Sequence, residues 1–413
     1  MGGYELLCQE HVAWLRAGGA EAAVLTSRFG LGPGAPPEEV GDAGERVLRE
    51  LDLHWRDFQH HRPNLATVWS HERRQRIAVD RLLGELRPQI CLVWGMGAIS
   101  KSVLATVHAA RVPMLAVVGE HWPVWDVASD RWARLFAHRP LRWLSRPASW
   151  AIAPTDIDGA MRSIVPLYAS EHLRQLIEAA VPAWRGRGQV VRNGIRVDRF
   201  VPSRARQPGL GRPLRLLYAG RIERRKGAMT AIETLPALER LQVDVTLSLV
   251  GWPDADFVLE LRRLAAELGV EDRIQWREPV ARDQMARVYG AHDVLVFPTL
   301  WDEPFGLVPL EAMAAGCCVV ATGTGGSGEY LEDGQNALLF AKGESEALAL
   351  AISRLAGDDG LVERLRQGGR ETAARHTFED YARRIDLLIE EAAGLEDVQS
   401  APAPVVAAGA QTQ

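Results

Sequence analysis

The sequence predicts an α/β protein with two Rossmann-like domains, each built on a parallel sheet. Short buried-strand patterns alternate with helical patterns along almost the whole chain, and this alternation is typical of parallel sheets. The chain has 413 residues, which exceeds the roughly 250 to 300 residues at which a single core stops growing. Near its middle, residues 201–213 (VPSRARQPGLGRP) are rich in Pro, Gly and Arg, which is typical of an interdomain linker.

Composition excludes several classes of function. The net charge of -5 and the pI near 6.2 give no footprint for nucleic-acid binding. No apolar run approaches about 18 residues, so no membrane-spanning helix is expected. The four cysteines lack metal-ligand spacing, and we expect a reducing, cytoplasmic location; they are Cys8, Cys91, Cys317 and Cys318.

The first domain is expected over residues 1–205 and starts with a helical pattern at 4–17 and a strand at 22–25. Only Met1, Gly2 and Gly3 precede this helix. In a Rossmann-like domain a strand normally comes before such a glycine loop, and it lies centrally in the sheet. The first strand is therefore apparently missing, and we expect the natural chain to begin about 15 residues earlier.

Further along, a helical pattern at 65–86 leads to strands at 90–94 and 114–118, with a helix at 100–110 between them. Glu120 and His121 follow the second of these strands. Ligands bind at the carboxyl ends of strands in such sheets, so either side chain is a candidate contact to a substrate. The alternative is a loop histidine that is hydrogen-bonded to the backbone.

Residues 130–150 interleave five arginines with three tryptophans. Such a segment suits the surface of an anionic membrane. The favoured alternative has the tryptophans packed on the domain with the arginines outside, because Pro140 and Pro147 break the segment. A strand at 164–169, a helix at 170–180 with Ser170 as N-cap and a strand at 190–191 complete the domain.

The second domain, expected over residues 206–377, begins with a strand at 214–218 and a loop at 220–227. In this loop Arg221 and Lys226 are candidate ligands of diphosphate oxygens, whereas Arg224 and Arg225 are expected to be solvated. Strands at 243–250, 274–276 and 294–297 then alternate with helices at 254–268 and 282–290.

The stretch 297–329 carries two glutamates, Glu303 and Glu311, with seven residues between them. On one continuous helix they would lie about 12 Å apart, too far for a glycosidase pair, which works at about 5 to 9.5 Å. The spacing favours an elongated ligand whose charged middle faces the N–H groups of Gly306 and Leu307 at the helix N-terminus. A sugar nucleotide has that shape.

A strand at 319–321, a glycine loop at 322–328 and helices at 344–356, 359–375 and 378–393 follow. Residues 394–413 are expected to be a disordered tail. Two Asp-x-Asp matches, Asp156–Asp158 and Asp254–Asp256, are interpreted as incidental, since Asp254 suits a helix N-cap. No metal is expected.

The block Glu303–Gly316 (EPFGLVPLEAMAAG), together with Gly220-Arg221 and Lys226-Gly227, resembles the retaining glycosyltransferases of family four. The resemblance implies the GT-B fold, with two Rossmann-like domains facing across a cleft and helix 378–393 crossing back to the first domain. It also implies a transferase that moves a hexose-type sugar from a nucleotide diphosphate sugar, without a cofactor, to an acceptor hydroxyl. The acceptor is left open among a lipid, a polysaccharide precursor and a natural product.

The same resemblance implies roles for individual residues. Glu311 would bind the ribose and Glu303 the donor sugar, while Arg221 and Lys226 neutralise the leaving diphosphate. His121 is a candidate catalytic residue on the acceptor side because of its position after the strand at 114–118. The backbone around the donor phosphate and sugar would come from Gly2, Gly3, Gly306, Leu307 and Val308. The chain departs from the family pattern at Arg196, Glu278 and Cys318. A sugar-nucleotide 2-epimerase and a non-catalytic sugar-nucleotide-binding subunit are the alternatives.

Overall fold

A computed structural model describes residues 3–29, 36–53, 55–56, 59–60, 64–124, 130–137, 144–201, 209–394 and 405–409. The chain divides into a first unit, Met1–Val191 with Ala382–Gln413, and a second unit, Arg192–Tyr381. The expected boundary at 205/206 is therefore too late. Ile195 bridges to Thr377, and the Phe200 ring lies edge-on to Tyr289, so these residues pack with the second unit. Residues 202–208 of the predicted linker lie outside the described residues.

The first unit contains an eight-stranded sheet in the order β2-β3-β1-β16-β6-β7-β8-β9. All neighbouring strands are parallel except β2 and β3, and β4 pairs separately with β5. The strands are β1 Ala22–Ser27, β2 Glu38–Val40, β3 Arg46–Leu51, β4 Trp55–Arg56, β5 Gln59–His60, β6 Ile90–Val93, β7 Met114–Val118, β8 Ile164–Tyr168, β9 Gln189–Val190 and β16 Val405–Gly409.

Several helices of the first unit begin at residues whose side chains accept hydrogen bonds from the free N–H groups of the first turn. The Ser170 hydroxyl accepts the amide N–H of Leu173 at 3.0 Å, which confirms the predicted N-cap. The Asp156 carboxylate likewise accepts the N–H of Gly159 at 2.8 Å. The helices are α1 Gly3–Ala17, α2 Leu65–Leu86, α3 Ser102–Ala109, α4 Arg131–Ala137, α5 Ser145–Ala151, α6 Ile157–Ser163 and α7 Glu171–Ala180.

The prediction that residues 394–413 form a disordered tail is wrong for residues 405–409. These residues form β16, which lies between β1 and β6 and is parallel to both. The sequence of β16, VVAAG, is short and apolar. The backbone N–H and C=O groups of β16 pair with those of β1 on one side and of β6 on the other. β16 therefore occupies the central position of the sheet at which the first strand was predicted to be missing.

The second unit contains a six-stranded parallel sheet in the order β12-β11-β10-β13-β14-β15. Read in chain order this is 3-2-1-4-5-6, the doubly wound Rossmann arrangement. Leu216, Leu247 and Val294 are fully buried in its core. The strands are β10 Leu214–Ala219, β11 Val245–Val250, β12 Ile274–Arg277, β13 Val294–Phe297, β14 Cys318–Ala321 and β15 Leu338–Leu339.

In the second unit, helices alternate with the strands, and further helices precede the first strand and follow the last one. Its helices are α8 Val197–Phe200, α9 Ala228–Glu233, α10 Leu235–Arg240, α11 Ala255–Glu267, α12 Arg282–Gly290, α13 Leu307–Ala314, α14 Ser345–Gly357, α15 Asp359–Ala374 and the start of α16 Phe378–Ala393. Asp254 caps α11, accepting the N–H of Phe257 at 3.2 Å, as predicted. The division between the units falls inside α16, after Tyr381. Among the described residues, no helix is long and apolar enough to cross a membrane.

Candidate active site

The candidate site lies in the second unit, where the strand order reverses between β10 and β13. Open α/β sheets bind ligands at the carboxyl ends of the strands beside such a reversal. The loop after β10, Gly220–Gly227, and the loop after β13 meet at this point. A Cβ on Gly227 would lie 1.9 Å from the carbonyl oxygen of Pro298, and Gly227 has a φ of 75°, so only glycine fits this contact.

Lys226 and Glu303 are joined across these two loops. The Lys226 Nζ lies 2.6 Å from Glu303 Oε1, and both side chains are largely buried. The Thr299 hydroxyl donates a second hydrogen bond to the same carboxylate oxygen at 3.1 Å. An ammonium has three donors, so Lys226 retains the capacity to bind an anion as well as Glu303.

The glycine loop at 322–328 supports the backbone of Glu303. The amide N–H of Gly326 donates to the Glu303 carbonyl at 2.7 Å. A Cβ on Gly325, whose φ is 62°, would lie 2.6 Å from the same carbonyl oxygen. The loop therefore lets two backbone segments approach closely, and this fixes the position of Glu303.

Helix α13 starts one residue after Gly306, which has a φ of 85°. Glu303 thus precedes the helix and Glu311 lies on it, so the two carboxylates are not on one continuous helix and the 12 Å estimate does not apply. The amide N–H groups of Gly306, Leu307 and Val308 have no acceptor among the described residues. Free N–H groups at a helix N-terminus form an anion-binding site.

Glu311 is buried on α13, with its two oxygens held separately. The Tyr289 hydroxyl donates to Oε2 at 2.8 Å, and the Arg282 Nη1 lies 3.5 Å from Oε1. Burial and, after it, the Glu311 carboxylate raise the pKa of Tyr289 well above its ordinary value, so the hydroxyl keeps its proton. Sequence reasoning missed both partners, because both lie on α12, well before Glu311 in the chain.

The other cations of the 220–227 loop differ in their contacts. Arg221 is substantially exposed, and its Nε lies 4.0 Å from Glu223 Oε1. Arg224 pairs with Glu260 on the surface, and Arg225 pairs with Glu223 and lies over the Trp301 ring. Lys226 and Arg221 are therefore the cations of this loop available to a ligand at the α13 N-terminus.

In the first unit, Gly3 is the first residue of α1, and Gly2 lies outside the described residues. His121 is buried in the turn after β7. Glu120 lies beside Gly95, since a Cβ on Gly95 would be 2.6 Å from Glu120 Oε1. These residues belong to the first unit, whereas Lys226, Glu303 and Glu311 belong to the second.

A cavity of about 360 Å³ lies between α1 and the sheet of the first unit. Gly95 and Trp94, which follow β6, line one side of it, next to Glu120. Four carboxylates and one guanidinium line the cavity, and the guanidinium, Arg49, is paired with Glu39 at 2.7 Å. The charged lining residues are Glu5, Glu39, Asp42, Glu45 and Arg49. Such a lining favours neutral or cationic groups with hydroxyls over anions.

Residues 203–372 match the family described as Glycosyl transferases group 1. A D-inositol 3-phosphate glycosyltransferase from Streptomyces bingchenggensis is 34% identical over 206 residues, which cover 47% of this chain and 45% of that protein. The chain thus spans about half the length of the curated relatives it matches.

Two solved structures are similar over nearly the whole chain. A glycosyltransferase from Rickettsia africae has a TM-score of 0.72 at 15% identity and covers 96% of each chain. Anabaena HepE in complex with UDP-glucose has a TM-score of 0.68 at 19% identity and covers 95% of this chain and 96% of that one. These likenesses show the GT-B fold.

Proposed function

We propose that the protein is a retaining glycosyltransferase of family four, which transfers a hexose-type sugar from a nucleotide diphosphate sugar to an acceptor hydroxyl. One observation carries this proposal. Two buried carboxylates, Glu303 and Glu311, lie before and within a helix whose first N–H groups are free, at the reversal point of a doubly wound sheet. Carboxylates suit sugar hydroxyls and free N–H groups suit a diphosphate, so the order along the site is that of a sugar nucleotide.

In the proposed complex Glu311 accepts hydrogen bonds from the ribose hydroxyls, and Glu303 accepts them from the donor sugar. The amides of Gly306, Leu307 and Val308 hold the phosphate nearest the sugar. The bond between the anomeric carbon and the phosphate oxygen breaks as the acceptor oxygen attacks the same face, and the departing phosphate takes the acceptor proton. Arg221 and Lys226 stabilise the negative charge that grows on this phosphate.

Lys226 and Glu303 act as one pair in this scheme. The ammonium holds the carboxylate in place before the donor arrives, and its remaining donors face the diphosphate. Lys226→Ala is expected to lower kcat by about 10- to 1000-fold, since it removes charge stabilisation from the transition state. Lys342→Ala is the matched control, because Lys342 pairs with Asp302 at 2.6 Å in the neighbouring part of the loop but not with Glu303.

The acceptor is proposed to bind the first unit at the cavity beside α1, where Glu120 lies next to the lining residue Gly95 and is followed in the chain by His121. The carboxylates of the lining would accept hydrogen bonds from a polyol, whereas they would repel a phosphorylated acceptor. This contrasts with the inositol phosphate in the name of the Streptomyces relative. A neutral sugar, a cyclitol or a glycosylated natural product therefore fits better, and the enzyme is expected to work in the cytoplasm.

The test offers UDP-, GDP- and dTDP-sugars with neutral and phosphorylated acceptors and follows free nucleotide and sugar identity. Acceptor-dependent nucleotide release with retained anomeric configuration supports the proposal. Conversion of the donor without an acceptor would indicate a sugar-nucleotide 2-epimerase. Tight donor binding with no turnover on any acceptor would indicate a non-catalytic subunit.

Donor binding is tested by calorimetry on Glu311→Ala, which should lose about 10- to 100-fold in affinity because the ribose loses a charged hydrogen-bond acceptor. Glu329→Ala serves as the control, since Glu329 pairs instead with Arg192 at 3.1 Å. An unchanged donor affinity in Glu311→Ala would refute the ribose role of this residue.

A further inference from the structure

Two helices of the first unit expose tryptophan and arginine side chains on neighbouring faces. On α2, Trp69 is 49% exposed and Ile77 is 55% exposed, and Arg73 between them is exposed. These positions are four residues apart, so they form one stripe along the helix. On α5, Arg146 is exposed and Trp150, four residues later, is 84% exposed. We call these five residues the Trp/Arg face.

Arg76 joins the two helices into a single surface. Its Nη1 donates to the carbonyl oxygens of Ser149 at 3.0 Å and Trp150 at 2.9 Å, and its Nε pairs with Asp80 at 3.3 Å. Since Arg76 follows Trp69 by seven residues, or nearly two full turns, it lies on almost the same side of α2 as Trp69, and these bonds hold the end of α5 beside the stripe. The two exposed tryptophans therefore belong to one patch.

The charge of the Trp/Arg face is positive. Residues 64–79 contain a single acid, Glu72, and it is buried. Helix α5 contains none. Asp80, at the edge, is already paired with Arg76. Arg73 and Arg146 have no acidic partner among the described residues, so their charges remain available to an anionic surface.

We propose that the Trp/Arg face docks on an anionic lipid bilayer. Tryptophan prefers the interface between headgroups and hydrocarbon, where its ring is apolar and its N–H stays wet. Arginine binds lipid phosphates, and each such residue near an anionic surface contributes on the order of 1 kcal/mol. Neighbouring exposed apolar side chains, here Trp69, Ile77 and Trp150, mark an interaction surface, and the arginine charges select an anionic partner.

Trp132 shows what the packed alternative looks like. It is fully buried in the same segment, and its Nε1 donates to the Pro154 carbonyl at 3.0 Å. The prediction of packed tryptophans in residues 130–150 is thus right for Trp132 and wrong for Trp150, while Trp143 lies outside the described residues. Docking does not require the proposed sugar transfer, because it involves a different surface of the first unit.

The experiment is co-sedimentation of the full-length protein with vesicles, without any nucleotide. Equal parts of phosphatidylglycerol and phosphatidylcholine should bind the protein, and pure phosphatidylcholine should bind it far less. Both Trp69→Ser/Trp150→Ser and Arg73→Glu/Arg146→Glu should weaken binding about tenfold or more. Raised salt should weaken wild-type binding, since exposed charges are screened.

Matched controls are Trp252→Ser and Arg354→Glu, since both residues are exposed and lie in the second unit. They should bind vesicles like the wild type, and every variant should keep the wild-type circular dichroism spectrum and unfolding temperature as evidence of folding. Equal vesicle binding by the face variants and the controls would overturn the proposal, as would no binding to anionic vesicles. A wild-type oligomer in light scattering that Trp150→Ser abolishes would instead assign the face to a protein partner and also overturn it.

Discussion

Tyr289 and Arg282 orient the Glu311 carboxylate and so determine what it can offer a ligand. Tyr289 donates to one oxygen and Arg282 lies near the other. Because Tyr289 is fully buried and keeps its proton, its hydroxyl can only orient Glu311 and cannot act as a base. Each carboxylate oxygen has a second lone pair, and these are what a ribose diol would use.

Tyr289→Phe should therefore weaken donor binding by about 5- to 20-fold, since one hydrogen bond to a charged group contributes about 1 to 2 kcal/mol. The donor affinity should change more than kcat, because the residue acts on the ribose end of the site. Tyr168→Phe is the control, a buried tyrosine of the first unit whose hydroxyl has no hydrogen-bond partner among the described residues. Equal donor affinities in the two variants would contradict the positioning role.

A buried carboxylate in the first unit links stability to pH. Glu72 on α2 accepts hydrogen bonds from the hydroxyls of Ser100, at 3.0 Å, and Ser102. Burial, and then the charge of Asp130, raise the pKa of Glu72 from 4.5 to about 8. The folded state thus binds this proton more tightly than the unfolded chain, so the stability it gives is present in full below about pH 4.5 and is lost as the pH rises through about 8.

Glu72→Gln should remove this dependence, because the amide oxygen still accepts the serine hydroxyls and carries no charge. The unfolding temperature of the variant should fall less than that of the wild type between about pH 5 and about pH 9. Glu85→Gln, at a half-exposed site on the same helix, should follow the wild type. Parallel curves for Glu72→Gln and the wild type would show that Glu72 ionises normally in the folded protein.

At the scale of elements, the sequence predicted most of the second unit and much less of the first. The predicted alternation of strands and helices identified β10, β11 and β13, because strands that are buried on both faces are continuous apolar runs. It also identified α13, the helix that follows β13. It missed β3, whose sequence RVLREL carries charge in the middle, and β2, where Glu38-Glu39-Val40 is exposed and pairs only at the sheet edge.

The site divides in the same way. Glu303, Glu311, Gly306 and Lys226 were predicted because they lie in short sequence blocks. Tyr289 and Thr299 were not, because their role depends on how α12 and the loop after β13 pack against α13. A tertiary contact between residues on different elements leaves no local pattern in a single sequence.

Strand β16 gives the element-scale prediction. It pairs with both β1 and β6 in the middle of the sheet, so Ala407→Pro should destabilise the first unit by removing a ladder hydrogen bond and clashing with its neighbour. Ala281→Pro is the control, because Ala281 lies in the second unit and its φ of -62° suits proline. The measurement is hydrogen exchange in β1 and β6, which should accelerate in Ala407→Pro. Equal exchange in the two variants would show that these strands do not depend on β16.

At the scale of the whole molecule, the two units have separate sheets, and the donor contacts of the proposed complex lie between Arg221 and Glu311. The division of the chain after Val191 and again after Tyr381 places none of these residues in the first unit. Donor binding should therefore stabilise the second unit more than the first. A ligand at about 100 times its Kd stabilises the state that binds it by about 2.7 kcal/mol.

Saturating UDP-sugar should consequently slow hydrogen exchange in the second unit, most strongly in the Gly220–Gly227 loop and at the start of α13. In the Glu311→Ala variant this protection should shrink at the same ligand concentration, because occupancy falls. β8, a strand of the first unit's sheet, provides the internal reference. If exchange slowed equally in β8 and α13, the donor contacts could not be confined to the second unit, and residues of the first unit such as Gly3 and His121 would be the next to substitute.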